Sequence, residues 1–192
     1  MLCGVLFSKP NDYSLRVAYG YGSKENLGDI LIGNLESHPQ LDLSVLALDA
    51  GYLISKNSFD LPLDFYVKFG FAKFNEDHFN DTYENTLYIK AYYNFDFYDN
   101  RVRFGLGEGG SYTYDILEAE EFEADEKDYK VSHFLNYLDI SLDFDFGKLI
   151  GYKPLHQTYI GVLLKHRSGI FGLINGVHGG SNYNCFFIEK NF

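Results

Sequence analysis

Leu63, Phe65, Val67, Phe69 and Phe71 interleave with Asp64, Tyr66, Lys68, Gly70 and Ala72. A period of two with one apolar and one mixed face predicts a β-strand. The pattern returns where Leu87, Ile89, Ala91, Tyr93, Phe95 and Phe97 oppose Tyr88, Lys90, Tyr92, Asn94 and Asp96. It returns again where Leu138, Ile140, Leu142, Phe144 and Phe146 oppose Asp139, Ser141, Asp143 and Asp145. No soluble sandwich would take that last polar set as an inner face. Five further segments carry the same rhythm: Tyr13 to Tyr21, Leu41 to Ile54, Arg101 to Gly109, Tyr159 to Ile170 and Ser181 to Phe192. Only the second is ambiguous in phase, near Val45. The reading is therefore all-β, eight strands in hairpin succession, with a final strand that closes on an aromatic as outer-membrane barrels do.

The connections alternate in length. Lys56 to Pro62, Tyr98-Asp99-Asn100 and Gly147 to Gln157 are short or moderate. Ser23 to Gln40, Asn75 to Asn85, Gly110 to Ser132 and Phe171 to Gly180 are longer on average, as expected of extracellular loops on a transmembrane barrel with both termini in the periplasm.

Composition fits this picture and narrows it. The 192 residues suit one domain, and 18 Phe, 17 Tyr and 19 Gly beside one Met and no Trp favour strands over helices. A net charge of −11 excludes an extended phosphate-binding surface, so no nucleic-acid partner is expected. Cys3 and Cys185 have neither metal-ligand spacing nor a disulfide framework around them. No apolar run reaches the length of a membrane helix, so a bilayer would be crossed by strands. Residues 1–12 read as an N-terminal segment, a remnant of a signal region, and residues 13–192 as the barrel.

Periodicity does not say which face points outward. A lipocalin-like soluble barrel would turn the apolar face inward around a ligand. The polar faces, however, bring Lys68, Lys90, Arg101, Arg103, Lys165 and Arg167 together with Asp139, Asp143, Asp145 and Glu189. Paired charges of this kind can fill a small barrel and leave no pore, which favours lipid on the apolar side.

Strand seven carries the candidate chemistry. Ile160, Val162 and Leu164 share an apolar face, and the same period continues it to His166 and Ser168. Residues two apart on a strand lie on one side, so the imidazole is within reach of the hydroxyl. Serine needs a base to take its proton, and histidine serves best at neutral pH. Both sit where the strand leaves the outer leaflet and face lipid, which restricts the substrate to a lipid. The competing reading is an interfacial polar girdle on a non-catalytic barrel with an adhesive or membrane-stabilising role. Elsewhere the signals are bland. Glu118 to Asp128 holds seven acidic residues and reads as a solvated extracellular loop. The other histidines share no spacing, and Gly105-Leu106-Gly107-Glu108-Gly109-Gly110 is followed by no helix, so neither a metal nor a nucleotide cofactor is expected.

The stretch His166-Arg167-Ser168-Gly169, then Asn175-Gly176 and Gly179-Gly180-Ser181-Asn182, and a last strand ending in Phe192 together resemble the lipid A 3-O-deacylases of the PagL type, also grouped as outer-membrane acyloxyacyl hydrolases. The motif covers about the last thirty residues, and Leu61 to Tyr66 and Arg101 to Gly105 are similar to a divergent branch. The resemblance implies an outer-membrane esterase acting on lipid A of lipopolysaccharide, with Ser168 as nucleophile and His166 as base. The family places a glutamate about a dozen residues after the serine. Here Asn182 stands near that place, with the parity to face outward beside His166 and to orient it. Glu189 has the wrong parity, and Glu108 is separated by strand six. The better-known members carry asparagine where this chain has Gly169. Backbone N–H groups near Gly169 and the Asn175 side chain are the candidate oxyanion donors.

Overall fold

A computed structural model describes residues 12–192. Eight antiparallel strands form a closed barrel in sequence order: β1 (Tyr13–Ser23), β2 (Ser44–Ser55), β3 (Leu63–Asn75), β4 (Thr82–Phe97), β5 (Asn100–Thr113), β6 (Phe134–Asp145), β7 (Thr158–Ser168) and β8 (Gly180–Asn191). The pairing of β1 with β8 closes the wall, so among the described residues no strand edge is left to pair with another chain. Of the N-terminal segment expected over residues 1–12, all but Asp12 lies outside the described residues.

The alternation of the sequence maps onto inside and outside. Phe69, Ile89, Leu142, Val162 and Ile188 are each about half exposed, whereas Lys68, Lys90, Arg103, Asp139, Asp143 and Glu189 are buried. A soluble ligand-binding barrel would show the reverse. An apolar outer wall around a charged interior is the arrangement of a membrane barrel, because the strands pair their backbone groups with one another and the band that faces outward is mainly apolar.

Paired charges do fill the lumen. Arg16 meets Asp49 at 3.0 Å and Asp139 at 2.5 Å, and donates to the Tyr88 hydroxyl at 2.8 Å. Lys90 also pairs with Asp139, Lys68 with Glu189 at 2.5 Å, and Arg103 with Asp143 at 2.8 Å. Arg101 is an exception to the expected lumen set, since it lies at the rim and pairs with Asp96. Toward the loop-bearing mouth an apolar cluster stands beside further paired charges: Val45, Ala47, Phe74, Leu163, Tyr183, Cys185 and Phe187 pack together with Leu117, while Lys165 pairs with Glu84 and Arg167 with Glu120. Val45 points inward between outward-facing Leu46 and inward-facing Leu43, which explains its ambiguous phase: at this level both faces of β2 are apolar.

Several boundaries differ from expectation. β4 begins at Thr82 and β5 runs to Thr113, so the third and fifth connections are shorter than Asn75 to Asn85 and Gly110 to Ser132. Tyr83, Glu84, Tyr112 and Thr113 are kept in the sheet by cross-strand pairing that their polarity does not announce. β7 stops at Ser168, two residues early, because Ile170 and Phe171 adopt positive φ of 48° and 54°. At the opposite end Tyr98 and Asp99, with φ of 47° and 61°, make a two-residue hairpin of the type whose twist suits the strands.

The acidic run is not a solvated loop. It forms α2 (Glu118–Lys127), following α1 (Leu27–Leu31) of the first loop, and caps the mouth. Glu118 and Glu120 are buried. Glu118 accepts from the backbone N–H groups of Asp77 and His78 at 2.9 Å each, and lies 2.7 Å from the His78 ring. Glu120 takes Arg167 Nε at 2.7 Å and the Ser181 hydroxyl at 2.8 Å. Acidic side chains are held here because arginine and backbone donors in the mouth need acceptors.

Candidate active site

β7 and β8 bring His166 and Asn182 together directly. They face each other in the register, as Ser168 faces Gly180. His166, Ser168 and Asn182 are all partly buried on the outward side, at the mouth end of the wall. His166 Nδ1 lies 2.7 Å from Asn182 Oδ1, and Asn182 Nδ2 donates to the Glu25 carbonyl oxygen at 2.9 Å. These two partners assign the proton: the Glu25 carbonyl needs a donor, so the amide oxygen faces the imidazole, and Nδ1 carries hydrogen. Nε2 is then left as the acceptor a general base requires. Among the described residues, no hydrogen bond joins the Ser168 hydroxyl to the imidazole. Such contacts commonly tighten only around substrate.

The link to Glu25 explains an asparagine at this position. A carboxylate would set an oxygen against the Glu25 carbonyl, whereas the amide satisfies both neighbours. The first loop thereby helps to hold the histidine, a contact that alternation along β7 and β8 could not reveal.

Neither expected oxyanion donor is free. The Gly169 N–H donates to Gly179 O at 3.2 Å, and the Asn175 amide to Ser132 Oγ at 2.8 Å. Both are engaged because the last loop folds back on itself, with Ile174 N–H donating to Gly169 O and Gly172 N–H to Val177 O. A side chain at 169 would meet the Val177 carbonyl, so glycine is required here by packing. Consecutive positive φ at Ile170, Phe171 and Gly172 is unusual for a β-branched residue, and this turn projects Phe171 and Leu173 out almost fully exposed.

Below the pair runs an apolar groove of about 300 Å³ on the outer wall, lined by Phe104, Leu142, Val162, Leu164 and Phe186 and flanked by Ile30. Leu164 is two residues below His166 on the same face, so the groove leads away from the imidazole. α1 and its flanking residues, absent from the sequence-based candidates, form its edge. Above and to the side, a cleft of about 70 Å³ separates the first loop from α2, with Glu25, Glu123 and Asn182 among its walls.

Fold and site together define a closed eight-stranded barrel with an apolar outer wall and a serine, a histidine and an amide hydrogen-bonded to it, partly buried on that wall beside an apolar groove. The crystal structure of the outer membrane enzyme PagL has a similar fold: the TM-score is 0.63 over 93% of this chain and 99% of that one, at 12% sequence identity. No protein-family model matches the chain, and no curated protein resembles it significantly in sequence.

Proposed function

We propose that this protein is an outer-membrane esterase that removes an ester-linked acyl chain from lipid A. The observation that carries the reading is the 2.7 Å contact of His166 with Asn182 on the outward wall, with Ser168 on the same face and an apolar groove below. Ser168 Oγ attacks the ester carbonyl carbon while its proton passes to His166 Nε2. Collapse of the tetrahedral intermediate breaks the acyl–oxygen bond, and the alcohol leaves with that proton. Water then repeats the sequence on the acyl-serine, releasing the fatty acid and restoring the serine. An outward site suits this substrate, because the ester of a lipid in the outer leaflet meets the wall and its chain lies along apolar surface without entering water. The closed barrel, its apolar band and the fold it shares with an outer membrane enzyme support the location.

A second reading, a non-catalytic barrel, is favoured by the engagement of Gly169 and Asn175 within the last loop. One experiment separates them. Purified barrel is incubated with lipid A in mixed micelles and the products are weighed by mass spectrometry. Loss of one acyl chain is expected from the wild type and not from Ser168→Ala or His166→Ala, with the double variant no worse than either, because the two residues act as one unit. Intact lipid A with folded wild-type protein would leave the non-catalytic reading.

A further inference from the structure

Asn182 orients the histidine but brings no charge, and an imidazolium must form when Ser168 gives up its proton. In a serine protease the change of the orienting aspartate to asparagine lowers turnover about 10⁴-fold. A carboxylate elsewhere in the site would offset part of that deficit.

Glu189 is inside the barrel with Lys68, and Glu108 lies on β5, two strands from β7. Glu120 is committed to Arg167 and Ser181, and Glu118 to the backbone of the neighbouring loop. Glu126 pairs with Lys24 at the surface. Glu123 is different. Its Oε2 accepts the Gly180 N–H at 3.0 Å, at the strand position that faces Ser168. It shares the cleft with Asn182, the residue whose amide oxygen meets the His166 ring. The approach depends on one glycine: a Cβ on Gly179 would come within 2.6 Å of this oxygen. The start of β8 carries no side chain where the carboxylate meets it.

We infer that Glu123, delivered by α2 across the mouth, supplies the negative charge that Asn182 lacks and stabilises the His166 imidazolium during ester cleavage. It acts through space and touches no reacting atom, so its role is that of an electrostatic positioning residue. Lys127, 2.7 Å from Glu123 Oε1 and half exposed, partly neutralises it. This inference rests on the esterase reading.

The test measures kcat and KM separately on lipid A. Glu123→Gln keeps an acceptor for the Gly180 N–H and removes only the charge, so kcat should fall on the order of tenfold, the scale of one charge acting through partly wet protein, with KM unchanged. Glu123→Asp should restore most of it. Lys127→Ala should raise kcat, a gain that misfolding cannot produce. Added salt should lower the wild-type kcat toward that of Glu123→Gln and leave the variant unmoved. In an Asn182→Asp background, where a carboxylate already meets the ring, Glu123→Gln should cost little. A Glu123→Gln kcat within twofold of wild type, or a change in KM alone, would overturn this inference and leave the esterase standing. Folded wild type without turnover would overturn both.

Discussion

Removing one lumen carboxylate should cost far more than removing one at the rim, although both pair with arginine. Asp139 is fully buried and neutralises two cations, Arg16 at 2.5 Å and Lys90, and it also takes the Tyr137 hydroxyl at 3.4 Å. Asp139→Asn leaves those cations with one fewer counter-charge in a sealed space. Truncating one partner of a buried ion pair costs about 3–5 kcal/mol, because the remaining charge stays desolvated and unpaired. Asp96 also makes two bonds, to Arg101 Nε and Nη2 at 3.0 Å each, yet the side chains are 56% and 35% exposed. Water takes over when that pair breaks, so Asp96→Asn should cost at most ~1 kcal/mol. The barrels are refolded into detergent micelles and unfolded with urea. The chain has no tryptophan, so far-UV circular dichroism and heat-modifiable gel migration report folding. A compensating pair, Asp139→Leu with Lys90→Met, should recover much of the lost stability, since Arg16 retains Asp49. Equal losses for Asp139→Asn and Asp96→Asn, within 1 kcal/mol, would refute the sealed, charge-paired interior.

Two further outcomes are expected. Asn182→Ala should lower deacylation by freeing the imidazole to rotate, while Asn182→Asp should raise it, though well short of the roughly 10⁴-fold ceiling, because the new carboxylate loses the bond to Glu25 O; equal rates in micelles at matched amounts of folded barrel would show that Asn182 does not orient His166. The mouth should loosen as pH rises: burial beside Glu118 and Glu120 pushes Glu76 up to about 7, and the exposed His78 is raised by its bond to Glu118, while Glu118 itself is held low and stays charged. Both raised groups bind their protons more tightly in the folded state, so their contribution is full below the ordinary values of each and is lost as pH climbs through the raised ones. Hydrogen-exchange protection in residues 76–81, corrected for intrinsic rates, should therefore fall from pH 5 to pH 8 and flatten in Glu76→Gln; flat or rising protection in the wild type would contradict this.

Much of the fold was legible in the chain because strand parity is a local property. Successive Cβ atoms point to opposite faces, so the alternation of Phe69 with Lys68, or of Leu142 with Asp143, states which residues share a side without knowledge of any partner strand. The same parity placed His166, Ser168 and Asn182 on one face. Once the barrel is closed, the contrast between apolar and charged faces leaves only one side for lipid. Tertiary structure alone decided the rest. Register set His166 opposite Asn182, since a slip by two residues would have kept parity and broken the 2.7 Å contact. The acidic run carries no periodic signal, and it became a capping helix only because Arg167, Ser181 and the backbone of residues 77–79 were waiting in the mouth. The Glu25 carbonyl and the Glu123 carboxylate are 157 and 57 residues from the positions they touch. No local pattern encodes such contacts, because they exist only once the ends of the wall are joined and the loops fold over it.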